Sequence, residues 1–133
     1  MTTINGLTLP RQLDTLLSSG RWRTPDQARL TRIFGESSTH ASFYGLEAMQ
    51  RENREWPQET IPDFLGAPSS SHPPGDIDPR RSVLIGDLGH DVPFALDYRT
   101  LEADPAVVFL ATRTPGWITI APTFSTFVAN LGL

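Results

Sequence analysis

Apolar residues fall into two regimes along this chain: helical spacing up to about residue 56, and strand-like runs from residue 82 onward. In residues 10–19, Leu13, Leu16 and Leu17 stand at i, i+3, i+4, with Pro10 at the first helical position and Gly20 just beyond, which predicts a first helix. Thr24-Pro25-Asp26-Gln27 reads as a capping box, with the Thr24 hydroxyl and the Gln27 amide answering unpaired backbone N–H groups. A second helix should follow to about Phe34, burying Leu30, Ile33 and Phe34 before Gly35 stops it. Residues 36–42 are small and polar, a loop. The run LEAMQRENR from Leu46 to Arg54 predicts a third helix with a thin apolar face, Leu46 and Met49, and a Glu47–Arg51 pair at i, i+4.

Regularity is lost from Pro57 to Arg81. Six prolines, the Ser69-Ser70-Ser71 run and His72-Pro73-Pro74-Gly75-Asp76 oppose both helix and strand ladders, so a long surface excursion or a disordered linker is expected. Within it, residues 61–65 (IPDFL) form a candidate docking anchor.

From Ser82 the pattern is β. Val83-Leu84-Ile85 is a short apolar strand, and Phe94, Leu96 and Tyr98 alternate along the next, making a hairpin across residues 86–92. Residues 107–111 are apolar on both faces, as in a strand covered on both sides. Trp117 to Ile120 is the last strand, and Phe124, Phe127, Val128 and Leu131 mark a closing helix ended by Gly132. Short connections favour neighbouring antiparallel strands. The expected fold is α+β: an antiparallel meander sheet of about four strands, packed by N-terminal helices and a C-terminal helix, in one domain over residues 1–133.

Composition narrows the function classes. With no cysteine there is neither a disulfide framework nor a thiolate zinc site. No signal-like N-terminus or long apolar run is present, so a soluble, cytoplasmic protein that does not associate with membranes is expected. All eleven basic residues are Arg, and the net charge is −4. Residues 1–56 hold seven Arg against six acids, whereas residues 82–133 hold two against five. A nucleic-acid surface needs a basic excess that the β part lacks, so no nucleic-acid partner is expected.

Candidate chemistry is sparse. No G-x-S-x-G, Walker-type or dinucleotide-binding glycine motif occurs, and His40, His72 and His90 fall in predicted loops. Asp87, His90 and Asp91 offer oxygens and an imidazole to a divalent cation, but Asp and Gly are also what a hairpin connection uses for its own turn bonds, and the turn reading is favoured. Asp97 and Glu102 are conceivable as paired carboxylates; Arg99, two residues on along the same strand face, favours an ion-paired sheet surface instead. No catalytic residue, metal or cofactor is assigned. For Trp22, Trp56 and Trp117 the core reading is that each covers a core edge, held for two of the three; the sharper one is that one or two, with Arg21, Arg23 or Tyr98, anchor a protein partner.

Residues 82–133 also carry a family pattern. A Gly-bearing hairpin ending in A-x-D (Gly86, Gly89, Ala95, Asp97), a central strand, then W-x-x-I-A-x-[ST]-F (Trp117, Ile120, Ala121, Phe124) and a closing helix with Phe127 resemble the SUKH superfamily. LPRQLDTLLSSG and GLEAMQREN resemble the N-terminal half of its short bacterial members. That superfamily includes a fungal cell-wall assembly regulator and many bacterial immunity proteins. The resemblance implies a noncatalytic α+β module that binds a protein partner, often a cognate toxin domain. An acidic face would suit a basic nuclease toxin, chiefly by speeding association. The expected partner surface is the exposed sheet face around Asp97, Arg99 and Trp117 or the loop holding Asp87, His90 and Asp91, with the Pro-rich segment beside it. Two other readings stand open: a small-ligand or metal-dependent enzyme using residues 87–97, and a structural or regulatory accessory domain.

Overall fold

The computed structural model describes residues 1–36 and 38–133. At the N-terminus Asn5 and Gly6 both take positive φ, 52° and 80°, as a two-residue hairpin turn demands. They join β1 (Thr3–Ile4) to β2 (Leu7–Thr8), a ribbon too short for its periodicity to show in the sequence. The Tyr98 hydroxyl donates to the Thr8 carbonyl at 2.8 Å and ties this ribbon to the body of the protein.

α1 (Arg11–Ser18) buries Leu13 and Leu16 and half-buries Leu17. Pro10 sits one residue before the helix and not within it, with ψ 141°. α2 (Gln27–Phe34) begins two residues later than the capping-box reading required. Its cap is Asp26, whose side chain accepts the Arg29 N–H at 2.8 Å. The Thr24 hydroxyl accepts the Phe43 N–H instead, at 3.1 Å, so it fastens a strand and not a helix. Leu30 and Phe34 are buried, and Gly35 closes α2 in the left-handed conformation (φ 78°). The loop predicted over 36–42 includes residue 37, which lies outside the described residues.

β3 (Ser42–Phe43) precedes α3 (Leu46–Glu52). α3 buries Met49, packs Ala48 against the core and leaves Leu46 exposed, so its apolar face is thin. Arg51 reaches its neighbour Glu52, at 3.7 Å, rather than Glu47. The helix ends at Glu52, and Asn53, its cap, turns its side chain inward. Asn53 is fully buried, and its side chain donates to the Met49 and Leu84 carbonyls and accepts the Leu84 N–H, each at 2.8 Å.

Residues 57–81 do not trail off as a linker. A 3-10 turn (Trp56–Gln58), α4 (Pro62–Leu65) and β4 (Pro74–Gly75) lay them along the sheet as a strap. Phe64 and Leu65 pack against the core while Ile61 remains exposed. Prolines obstruct ladders, but an edge position needs few donors, and β4 is an edge: Pro73 supplies only its carbonyl, which accepts the Thr119 N–H at 3.2 Å. The strap folds tightly on itself, so that a Cβ on Gly75 would strike the Ala67 carbonyl, and lies so close to the connection preceding Trp117 that one on Gly116 would strike the Gly75 carbonyl.

The main sheet has six strands, against the expected four or so. β5 (Ser82–Asp87), β6 (Pro93–Asp97), β7 (Ala106–Leu110) and β8 (Trp117–Ala121) stand side by side, and the two-residue strands β3 and β4 flank them in the order β3-β5-β6-β7-β8-β4. Every pairing is antiparallel. Phe94 pairs with Phe109 across β6 and β7, and both meet Phe34 of α2 at centroid distances of 5.0 and 5.1 Å. Phe127 of α5 (Phe124–Leu131) closes the same cluster. The opposite face is covered where Trp117 meets Trp56 at 6.3 Å. That double cover explains why residues 107–110 are fully or nearly fully buried despite their alternation. Thr123 caps α5 by accepting the Thr126 N–H, and Gly132 ends it.

Candidate functional site

A cleft of about 370 Å³ opens between the end of α3, the 3-10 turn, α4 and the β5–β6 connection. Its floor is apolar: Trp56, Phe64, Leu84, Val92 and Pro93. Its rim carries five carboxylates, Glu52, Glu55, Glu59, Asp87 and Asp91, together with His90. The carboxylates come from three segments, which the fold brings together by packing α3 on β5 and returning the chain through the 3-10 turn.

Several of these groups already have partners. Asp87 accepts the Tyr44 hydroxyl at 2.6 Å and the Gly89 N–H at 3.0 Å. Burial, then the hydrogen bond to Asp87 and its negative charge, raise the Tyr44 pKa far above the ordinary phenol value. Glu59 accepts the N–H groups of Thr60 and Ile61. His90 projects into solvent and lies 3.3 Å from Asp91, whose φ of 61° marks the sharp turn. Glu55 has no side-chain hydrogen bond or ion pair among the described residues. One Asp87 oxygen therefore makes a turn bond of the kind expected from sequence, and the other is bound to Tyr44. Among the described residues no group of three or more His, Asp or Glu is arranged to hold a metal ion.

The six residues singled out from sequence separate into two places. Asp87, His90 and Asp91 line the cleft. Asp97, Arg99 and Trp117 do not, and the exposed sheet face expected around them is covered by the strap: Asp97 and Trp117 are buried. The Arg99 guanidinium holds Asp97 at 2.9 Å and Asp76 at 3.0 Å, and also donates to the Asp76 backbone carbonyl at 3.0 Å. The hydrogen bond to Asp97 leads in raising the Arg99 pKa, with Asp76 adding to it. Sheet strand and strap are thus ion-paired through one side chain.

All three tryptophans are core residues, one more than the sequence reading allowed. Trp22 donates to the Tyr44 carbonyl at 3.0 Å, Trp56 to the Ser82 hydroxyl at 2.9 Å, and Trp117 to the Phe64 carbonyl at 2.7 Å. All three N–H groups are bonded inside the protein. Tyr44, Glu52, Glu55 and Glu59 are not among the residues singled out from sequence, whereas Phe64 belongs to the candidate docking anchor at residues 61–65. No local spacing marks the three glutamates: Glu52 ends α3, while Glu55 and Glu59 flank a 3-10 turn beyond it.

No helix among the described residues is long and apolar enough to cross a membrane. A family model, that of the SMI1 / KNR4 family (SUKH-1), matches residues 4–130 and so spans the strap as well as the sheet. No curated protein and no solved structure matches the chain.

Proposed function

The chain belongs to the SMI1 / KNR4 family (SUKH-1), and from that we propose that it is a noncatalytic, cytoplasmic binding module of the immunity type, which neutralises a cognate toxin by seating part of it in the acidic cleft. The observation that carries this reading is the pairing of an apolar floor with a rim of five carboxylates in one concavity. An apolar centre within a polar rim is the anatomy of a protein-binding patch. Charge of one sign focused in a cleft attracts a basic partner and speeds its docking more than it tightens the final complex. Asp87, His90 and Asp91 belong to that surface directly. Asp97, Arg99 and Trp117 support it from behind.

The test is to purify the protein together with the toxin domain encoded beside its gene and measure binding by calorimetry, then assay the toxin with and without it. A stoichiometric complex that abolishes toxicity, and whose association slows as salt is raised, supports the proposal. A neighbouring toxin that binds equally well when Glu55 and Asp91 are both changed to Lys would remove the cleft from it, and the lack of any binding would remove the immunity reading.

A further inference from the structure

We infer that Arg99 is a positioning residue for the cleft, latching the strap to the sheet and so fixing a cleft wall that it does not itself touch. The inference rests on the cleft being the binding surface, but the latch can be tested apart from that. Arg99 is absent from the lining, yet a continuous run of contacts leads from it to the floor. Its Nη1 and Nη2 hold the side chain and the backbone carbonyl of Asp76, while Nε and Nη2 hold both oxygens of Asp97 on β6. Asp76 is bridged to Gly66, and the next residue, Ile77, donates its N–H to the Leu65 carbonyl at 3.0 Å. Gly66 and Leu65 end α4, whose Phe64 forms part of the cleft floor and whose backbone is gripped by Trp117.

Trp117 and the packing of Phe64, Leu65 and Ile77 also hold the strap, but none of these is an ion pair to a sheet strand. β4 contributes two residues, one of them a proline with no N–H to give. The close approach of Gly116 to the Gly75 carbonyl fixes how near the strap can come, but contributes no side-chain packing. A planar guanidinium with a fork on the Asp97 carboxylate and two further bonds to the side chain and backbone carbonyl of Asp76 provides direction as well as attraction, which lysine cannot reproduce. In this arrangement Asp97 orients Arg99, Arg99 holds Asp76, and Asp76 sets where α4 ends.

Amide exchange followed by NMR tests the latch without any partner. In Arg99→Met, and in the milder Arg99→Lys and Asp76→Asn, the Ile77 amide and the Trp117 indole N–H should exchange about tenfold faster or more, while Ala95 and Val108 in the sheet interior keep their protection. Should Arg99→Met fail to fold, the two milder variants carry the test. Unchanged exchange at Ile77 and Trp117, or equal loss in strap and sheet, would overturn the inference. The second arm titrates hexalysine, a stand-in for a basic partner, and follows the Gly89 and Val92 resonances. Arg99→Lys should weaken that binding several-fold, and the effect should shrink in a Phe64→Ala background if it passes through the α4 wall; fully additive effects would overturn that route. Wild-type protein whose cleft ignores hexalysine while the exchange pattern appears would count against the proposed function and leave the latch standing.

Discussion

The indole N–H of Trp117 donates to the backbone carbonyl of Phe64 over 2.7 Å, across 53 residues of chain. The first residue of a sheet strand thereby holds the short helix α4, and with it one part of the cleft floor. Trp117→Phe keeps most of the buried ring but leaves the Phe64 carbonyl without its donor, which should destabilise the protein by about 1–3 kcal/mol. Trp117→Ala should cost about 3–5 kcal/mol through the cavity it opens. Urea unfolding followed by circular dichroism measures both. A loss below roughly 0.5 kcal/mol for Trp117→Ala, the range of ordinary surface changes, would contradict its role in the core.

Asn53 stands in for a missing piece of strand. β3 pairs with β5 at Gly86 and Asp87, Tyr44 donates to the Ile85 carbonyl, and one residue further on the Asn53 amide meets both the N–H and the carbonyl of Leu84. Asn53→Leu removes both partners at once from a fully buried position. Two orphaned backbone groups should cost about 3 kcal/mol, visible as a lower urea midpoint. Asn53→Asp keeps the acceptor for the Leu84 N–H but sets a carboxylate oxygen against the Leu84 carbonyl, so it should not rescue.

How far the sequence revealed this molecule depended on how local each feature is. The strands from Ser82 onward and the closing helix were legible because alternation and i, i+3, i+4 spacing are properties of adjacent residues. The cap of α2 was misplaced by two positions because Thr24 and Asp26 offer the same oxygen chemistry, and only the approach of Phe43, a tertiary event, decides which one serves the helix. Composition leaves the strap open between a surface excursion and a disordered linker, because what holds it, Arg99, Trp117 and the approach of Gly116 to Gly75, is not recorded in its own residues. The cleft was half visible for the same reason. Asp87, His90 and Asp91 are contiguous, whereas Glu52, Glu55 and Glu59 join them only once α3 packs on β5.

The protein has two tyrosines, and both phenols have pKa values well above the ordinary 10.0. Burial is the first cause in each, followed by the hydrogen bond to Asp87 for Tyr44 and by the charge of Asp14 for Tyr98. Phenolate absorbance should therefore stay low as pH rises through 10 and appear only as the protein unfolds. The folded state keeps protons that the unfolded state releases, so above the unfolded pKa of about 10 the unfolded state binds fewer protons and stability falls with rising pH. The contribution is fully present below that value. Tyr44→Phe should reduce the alkaline loss of stability; a tyrosinate transition near pH 10 in folded protein would contradict the burial argument.

Glu55 offers the cleanest test of the cleft's charge. Glu59 bonds two backbone N–H groups and Asp87 bonds Tyr44 and Gly89, so altering either would disturb local structure as well as potential. Glu55 is exposed, and its side chain has no such obligations among the described residues. Glu55→Lys should leave stability within about 0.5 kcal/mol of the parent. It should slow association with a basic toxin domain by about fivefold to tenfold at low salt, with little change in the dissociation rate, because a rim charge acts on diffusional encounter. At about 1 M salt the screening length falls to about 3 Å and the two association rates should converge. Stopped-flow mixing across a salt series measures this directly. Equal rates and equal salt slopes for the two proteins would mean that the partner does not approach through the acidic rim.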